Sequence, residues 1–330
     1  MIYDSDGNIT GLTGYGDDLP LRALSPFEDG WYGAFLTKDP IEGTTNLDER
    51  NQRVRITGVG VGPGGSLELA AATVERALSP GMFPATITLL GGPIALFEGG
   101  TSNAKNYQGN DCHGATGYEP IPGLYVPVVG PIGSAAEAEA EKGVLKPLTY
   151  HSGPYTGLDT VTDISSTIHP GWLSCSGLLD LVRQIRNSAD HVCSELCPCT
   201  HWASSTISTI TFVDGDIEIP RGKGLLLVTG IPFLNGMNSW EGTVLAIGKG
   251  EVAYSGGGLG PHVGATLVAN IAGPDRILGT ADDCTGPASG FDVAAYDTSG
   301  GGHHDTIFCT HAIAMSLSGL PFQEVGFRRN

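Results

Sequence analysis

Between Thr211 and Ile271 the chain repeats one short phrase, a run of β-branched and aliphatic residues closed by glycine or asparagine where the backbone must turn. The phrases are Phe212-Val-Asp-Gly-Asp-Ile-Glu-Ile219, Leu225-Leu-Leu-Val-Thr-Gly-Ile-Pro-Phe-Leu234, Thr243-Val-Leu-Ala-Ile-Gly-Lys-Gly-Glu-Val-Ala-Tyr254 and Ala265-Thr-Leu-Val-Ala-Asn-Ile271. They recur every ~15–20 residues, the length of one coil of a β-solenoid. Such a coil cannot bury its apolar row alone and must stack on its neighbours. The spacing therefore predicts a mainly β fold whose second half is a parallel β-helix.

Glycine supplies 50 of 330 residues without a Gly-X-Y period, which excludes collagen and fits a chain with many tight turns. The net charge of −18, with 17 lysines and arginines, argues against a nucleic-acid or anionic-membrane partner, because neutralising phosphates needs a basic face. No apolar run reaches the ~20 residues of a membrane span. The amino end, Met1-Ile-Tyr-Asp-Ser-Asp-Gly-Asn8, shows no basic or hydrophobic signal region.

Seven cysteines, Cys112, Cys175, Cys193, Cys197, Cys199, Cys284 and Cys309, lack the paired spacing of a zinc site. They are expected to form disulfides in an oxidising compartment, with one thiol left over. The export signal that this requires is expected upstream of Met1.

Along the chain, Trp31–Leu36 reads as a strand, and Arg53–Val61 with Ser66–Leu78 reads as a hairpin closed by Pro63-Gly-Gly65. The second arm has a short helix as its alternative. Ser79-Pro-Gly-Met-Phe-Pro84 reads as a boundary, dividing a β-rich region over 1–84 from the solenoid over 85–330. Ala85–Leu90 and Leu124–Val129 read as strands, and Ala135–Glu141 as an exposed helical turn. One amphipathic helix is expected over about 176–192. Its stripe of Leu178, Leu181, Val182, Ile185, Ala189 and Val192 would flank the coils.

These segments resemble the carboxy-terminal region of PilX-like type IV pilus assembly proteins of Gram-negative bacteria. The matching pieces are Ala85-Thr-Ile-Thr-Leu-Leu-Gly-Gly92, Phe97-Glu-Gly-Gly-Thr-Ser-Asn-Ala-Lys-Asn-Tyr-Gln-Gly-Asn-Asp-Cys112, Val128-Val-Gly-Pro-Ile-Gly133, Phe212-Val-Asp-Gly-Asp216, Leu226-Leu-Val-Thr-Gly230, Ser255-Gly-Gly-Gly-Leu-Gly260, Ser299-Gly-Gly-Gly302 and Val325-Gly-Phe-Arg-Arg329. The resemblance covers residues 50 to 330 and rests on the order of the pieces. It implies a pilin-like β-rich region at 1–84. It also implies a noncatalytic cell-surface role in pilus assembly, adhesion or motility, with other pilins or minor pilins and a surface or glycan target as partners. The chain would be exported through the periplasm. Members begin with a leader and a hydrophobic pilin helix that this chain lacks, so no membrane insertion by the chain as given is expected. The family carries no catalytic residues to transfer.

The sharpest candidate site is Gly273-Pro-Asp-Arg-Ile-Leu-Gly-Thr-Ala-Asp-Asp283, which resembles the acidic calcium loops of secreted proteins. Asp275, Asp282 and Asp283 would give carboxylates and Thr280 a hydroxyl or carbonyl to Ca²⁺, which takes six to eight oxygens. The alternative is a solvated turn. His303, His304, Asp305 and His311 have the composition of a transition-metal cluster, but the preceding glycines favour an exposed loop. Asp214, Asp216 and Glu218 recur at period two, which puts them on one strand face as a polar outer row or as paired carboxylates for glycosidase work. Ser255–Gly260 lacks the Lys-Ser/Thr of a phosphate loop and reads as a turn. Two further functional classes compete with the pilus reading. A secreted polysaccharide-active β-helix enzyme would draw on Asp214, Asp216, Arg221, Trp240 and Tyr254, and a self-assembling fibre subunit would form filaments.

Overall fold

A computed structural model describes residues 80–320 apart from 93–94, 100–104, 116, 149–153, 195–205, 236–238, 256–259, 288 and 300–303. Outside that span it describes 2–3, 9–11, 19–27, 30–38, 53–62, 66–76, 78 and 322–329. The chain is mainly β and divides into two units, 1–79 with 321–330, and 80–320. The second unit thus begins at Pro80, and the last ten residues belong to the first unit.

In the first unit, β1 (Ile2–Tyr3) pairs with β2 (Ile9–Gly11). A separate antiparallel sheet runs through β3 (Leu19–Phe27), β4 (Gly30–Lys38), β5 (Arg53–Val61), β6 (Leu67–Arg76) and the closing strand Phe322–Arg329. The two arms of the expected hairpin are β5 and β6, paired from Val61↔Leu67 to Arg53↔Glu75. The second arm is a strand and not a helix because β6 pairs residue for residue with β5 on one side and pairs with Phe322–Arg329 on the other.

The second unit is built from two parallel sheets between which the chain alternates. The strands β13 (Thr209–Asp214), β15 (Gly222–Val228), β17 (Trp240–Gly248), β19 (His262–Asn270) and β21 (His304–Phe308) lie in a ten-stranded sheet. The intervening β14 (Ile217–Ile219), β16 (Pro232–Asn235), β18 (Glu251–Ser255) and β20 (Ala294–Asp297) lie in a five-stranded one. Each strand from β13 to β19 pairs in parallel with the strand two places further along the chain. The earlier strands β7 (Ile87–Leu90), β8 (Ala95–Glu98) and β9 (Lys105–Gln108) add in parallel to β19, β20 and β21. Beyond them, β10 (Val129–Pro131) pairs with β7 and β11 (Tyr155–Thr156) with β9. At the other edge β12 (His191–Ser194) pairs with β13.

Pairing without slip gives like residues one above another, as in the column Val213–Val228–Ala246–Val268–Leu89. These side chains meet Ile219, Leu234, Val252, Tyr296 and Phe97 of the second sheet in one buried cluster. Every residue of β19 is buried, because the other face of its sheet is covered as well. Helix α3 (Thr310–Leu317) packs on β15, β17 and β19, with Ser316 Oγ 2.8 Å from Thr243 Oγ1.

Helix α1 (Ser134–Leu148) contains the stretch expected to be a short exposed turn, yet Ala136, Ala140 and Val144 are buried in the main cluster. Its contact with β8 is close: a Cβ at Gly143 would stand 1.4 Å from the Phe97 carbonyl oxygen. Helix α2 covers Cys175–Ser188, not 176–192. Ser174 caps it by accepting the Gly177 N–H at 3.0 Å. The Asp190 carboxylate takes the Ile210 N–H at 2.8 Å and draws the chain alongside β13. Val192, read as part of the helical stripe, is therefore on β12 and 46 % exposed. Likewise only Val129 of Leu124–Val129 enters a strand.

Two disulfides, Cys112–Cys309 and Cys175–Cys284, join residues 197 and 109 positions apart. Cys193 is disulfide-bonded too, while Cys197 and Cys199 lie outside the described residues. Beside the first disulfide, the buried Asp111 carboxylate accepts the Thr310 N–H at 2.8 Å and so caps α3 from a distant segment.

Candidate functional site

The outward row of the five-stranded sheet forms the floor of a groove of about 840 Å³. Parallel register sets Glu251, Ala295 and Leu96 side by side on β18, β20 and β8, and Asp297 beside Glu98 one step further. Val252, Tyr296 and Phe97, between those rows, point inward and are buried, Phe97 and Tyr296 stacking at 5.9 Å. Glu139 and Lys142 of α1 form one wall, and Asn270, Pro274, Arg276 and Asp292 the other. Lys142 pairs with Glu139 at 2.5 Å, Arg276 with Glu251 at 2.6 Å, and Lys249 with Asp216 at 2.8 Å. Five carboxylates against three cations leave the lining acidic.

The loop expected to hold calcium borders this groove through Gly273, Pro274 and Arg276. Its carboxylates are used by the loop itself. Asp275 Oδ1 accepts the Ile277 N–H, Asp282 Oδ2 the Asp275 N–H, Asp283 Oδ2 the Gly279 N–H, and Asp282 Oδ1 the Thr280 hydroxyl. The Thr280 hydroxyl and the Asp275 N–H hold the Asp282 carboxyl below its ordinary value. Asp283 Oδ1 is buried without a donor among the described residues. Among the described residues, the one trio whose ligand atoms fall within 4.8 Å is Asp111, Cys112 and Cys309, and its two sulfurs are joined in a disulfide. With most of its carboxylate oxygens engaged and the loop stapled through Cys284, removal of calcium by a chelator is expected to shift the melting temperature by less than about 2 °C. A calorimetric scan with EDTA and with excess Ca²⁺ checks this, and a larger shift places an ion at Asp283.

Asp214, Asp216 and Glu218 do not share a strand face. Gly215, at φ 120°, turns the chain out of one sheet, so Asp214 ends β13, Asp216 lies in the turn and Glu218 belongs to β14. Asp214 accepts the Thr229 hydroxyl at 2.9 Å, and Asp216 accepts the Ile231 N–H at 2.8 Å. Partial burial pushes the Asp216 carboxyl up, but the Lys249 ammonium and the Ile231 N–H outweigh it and leave the group below its ordinary value. Nor do Trp240 and Tyr254 join them. Trp240 is buried, its indole N–H donating to the Gly224 carbonyl at 3.1 Å, and Arg221 is exposed.

Sequence reasoning missed a buried polar cluster at the corner where β18, β20 and β8 lead back to β19, β21 and β9. His304, expected in an exposed loop, is 2 % exposed, and its Nδ1 lies 3.1 Å from the Gly260 carbonyl. His303 lies outside the described residues, and His311 is on α3 against Tyr118. Lys105, aligned with His304 in register, donates to the Thr298 carbonyl and sits 4.7 Å from the centre of the Tyr254 ring. Burial lowers the Lys105 ammonium to about 8, against an upward pull from Asp297. His262 is buried one strand away, its Nε2 3.3 Å from the Gly242 carbonyl and its Nδ1 3.2 Å from the Thr266 hydroxyl. The signal available in the sequence was positional: His262 stands two residues before Gly264, as Trp240 stands two before Gly242.

No protein-family model, no curated protein and no solved structure matches this chain.

Proposed function

We propose that residues 80–320 form a β-solenoid and that the chain is a noncatalytic structural or adhesive component of the type IV pilus system, working outside the cytoplasm. The observation that carries this reading is the alternation of successive strands between two parallel sheets in unbroken register. Each rung then rests on the last through a full row of backbone hydrogen bonds and an apolar column, which makes a stiff body. Disulfides spanning 197 and 109 residues suit an oxidising compartment. Among the described residues no helix is long and apolar enough to cross a membrane. The mechanism is mechanical and associative: the stack holds its loops and outer faces in place for contact with other pilins or a target surface.

The groove favours a second reading, a polysaccharide-active enzyme, since Asp297 and Glu98 stand side by side on its floor. Of the residues expected to serve such an enzyme, however, none lines the groove. The test of the first reading is to shear surface filaments from the source bacterium, probe them for this chain, and count filaments after its gene is deleted. The chain is expected in the sheared fraction, with fewer filaments in the deletion strain. Its absence from that fraction together with reducing-end release from acidic glycans would overturn the reading in favour of the enzyme.

A further inference from the structure

We propose that the Cys175–Cys284 disulfide is a redox latch: when a dithiol opens it, the segment between β19 and β20 swings out as a flap and widens the groove. That segment, residues 271–293, contains no strand or helix among the described residues. Its root is firm, with Ile271, Ala272 and Phe291 buried and the Asp292 N–H donating to the Asn270 carbonyl at 3.0 Å. Beyond the root no described residue of 274–290 is buried, so packing into the core does not hold it. The Asp275, Asp282 and Asp283 carboxylates accept N–H groups of the segment itself. Among the described residues, two ties join 274–290 to other elements. One is the Arg276–Glu251 ion pair, whose side chains are 49 % and 31 % exposed, and an exposed pair of this kind holds weakly. The other is the disulfide to Cys175, the first residue of α2. Pro274 and Arg276 form part of the groove wall, so the wall stays in place through that bond.

Position decides which disulfide opens. Cys284 is half-buried, whereas Cys112 and Cys309 are 2 % and 0 % exposed, which shuts a thiol out from their sulfurs. Cys175 is 4 % exposed, so the attack falls on its partner. A dithiol thiolate adds to the Cys284 sulfur, forming a mixed disulfide and breaking the bond to Cys175. Cys175 leaves as a thiolate at the amino end of α2, where the helix dipole favours an anion. The second dithiol sulfur then displaces Cys284 and closes into a cyclic disulfide. The dithiol thereby loses two electrons, and the protein gains two thiols as the leaving thiolates take up protons. Cys309 also borders a helix, but its burial prevents the first step.

The experiment is titration of the full chain with dithiothreitol, followed by alkylation, mass spectrometry and amide hydrogen exchange on the same samples. Cys175 and Cys284 are expected to be labelled while Cys112 and Cys309 stay joined. The amides of 274–283 should then exchange about tenfold faster and those of β19 at their former rate, and oxidised glutathione should restore the starting state. Leu96→Trp, at a position 44 % exposed on the groove floor, reports the opening, because quenching of its emission by acrylamide should rise on reduction. The double variant Cys175→Ser/Cys284→Ser should show the reduced behaviour without dithiol, and should it fail to fold, the partly reduced parent chain gives the same readouts. Four results overturn the proposal: protected loop amides after both thiols are labelled, β19 amides that speed up with the loop, unchanged quenching, or Cys112–Cys309 opening first. The inference does not rest on the pilus reading, which the filament experiment tests separately.

Discussion

Replacing Gly264 by alanine is expected to destabilise the second unit by about 2–6 kcal/mol, enough to unfold a domain of ordinary stability or to leave it marginal. Two costs coincide at this position. The backbone has φ 145°, a region that L side chains rarely adopt, and an added Cβ would stand 1.8 Å from the Gly242 carbonyl oxygen. Strain of the first kind costs about 1–3 kcal/mol, and forcing a packed neighbour aside costs about as much again. Three other glycines separate the terms. Gly133 has φ 87° with open space around it, so Gly133→Ala should cost about 1–2 kcal/mol. At Gly109 the obstacle is contact alone, the Val126 carbonyl lying 2.0 Å from an added Cβ. Gly81 has neither feature, and Gly81→Ala should change stability by no more than about 1 kcal/mol. Denaturant midpoints with hydrogen exchange of the β19 amides read the series. If Gly264→Ala melts with Gly81→Ala, the close stacking of these strands is wrong.

Gly264 also has a role that the sequence pattern does not reveal. The glycines that close the repeating phrases read as turn residues, and Gly215 and Gly250, at φ 120° and 63°, do turn the chain. Gly224, Gly242 and Gly264 stand inside β15, β17 and β19, in register with one another, where each backbone approaches the carbonyl of the strand beneath. A strand-interior glycine and a turn glycine look alike until the alignment of three successive phrases is imposed on a structure. The apolar columns were legible because branched residues recur at the same offset in each phrase. The return of β7, β8 and β9 onto the end of the stack was not, since nothing local tells Ile87 that its neighbour is Thr266. The acidic loop was visible as a motif, but only coordinates reveal that its own N–H groups already fill most of its carboxylates. The groove was invisible for a related reason: Leu96 and Glu98 stand about 200 residues before Asp297 and meet it only through strand register.

Acidification should weaken the fold well above the pH at which carboxylates titrate, because two neutral imidazoles are sealed inside it. Burial lowers His262 to about 4, against the Gly242 carbonyl, which favours the charged ring. Burial also lowers His304, to about 3, helped by the proximity of His262 and Lys105 and opposed by Gly260 and Asp305. Both folded values lie below the unfolded value of about 6.5, so in the window between them the unfolded chain binds more protons than the folded one. Stability is therefore unaffected above about pH 7 and falls as pH drops through 6 and 5. Each ring contributes about 1.4 kcal/mol per pH unit until its folded value is reached, giving a loss of about 4 kcal/mol at pH 5 relative to pH 7. Asp163, Asp216 and Asp282, whose carboxyls sit below their ordinary value, act in the same direction but only below about pH 4. Urea midpoints at pH 7, 6 and 5 measure the slope. The double variant His262→Leu/His304→Leu should flatten it whatever it costs at pH 7, since His262 gives up its contacts with Gly242 and Thr266 but neither position titrates any longer. An unchanged slope in that variant would mean that the imidazoles are hydrated in the folded chain. The corner where β19 and β21 begin would then be open to water, and the tight stacking inferred for Gly264 would not extend to it.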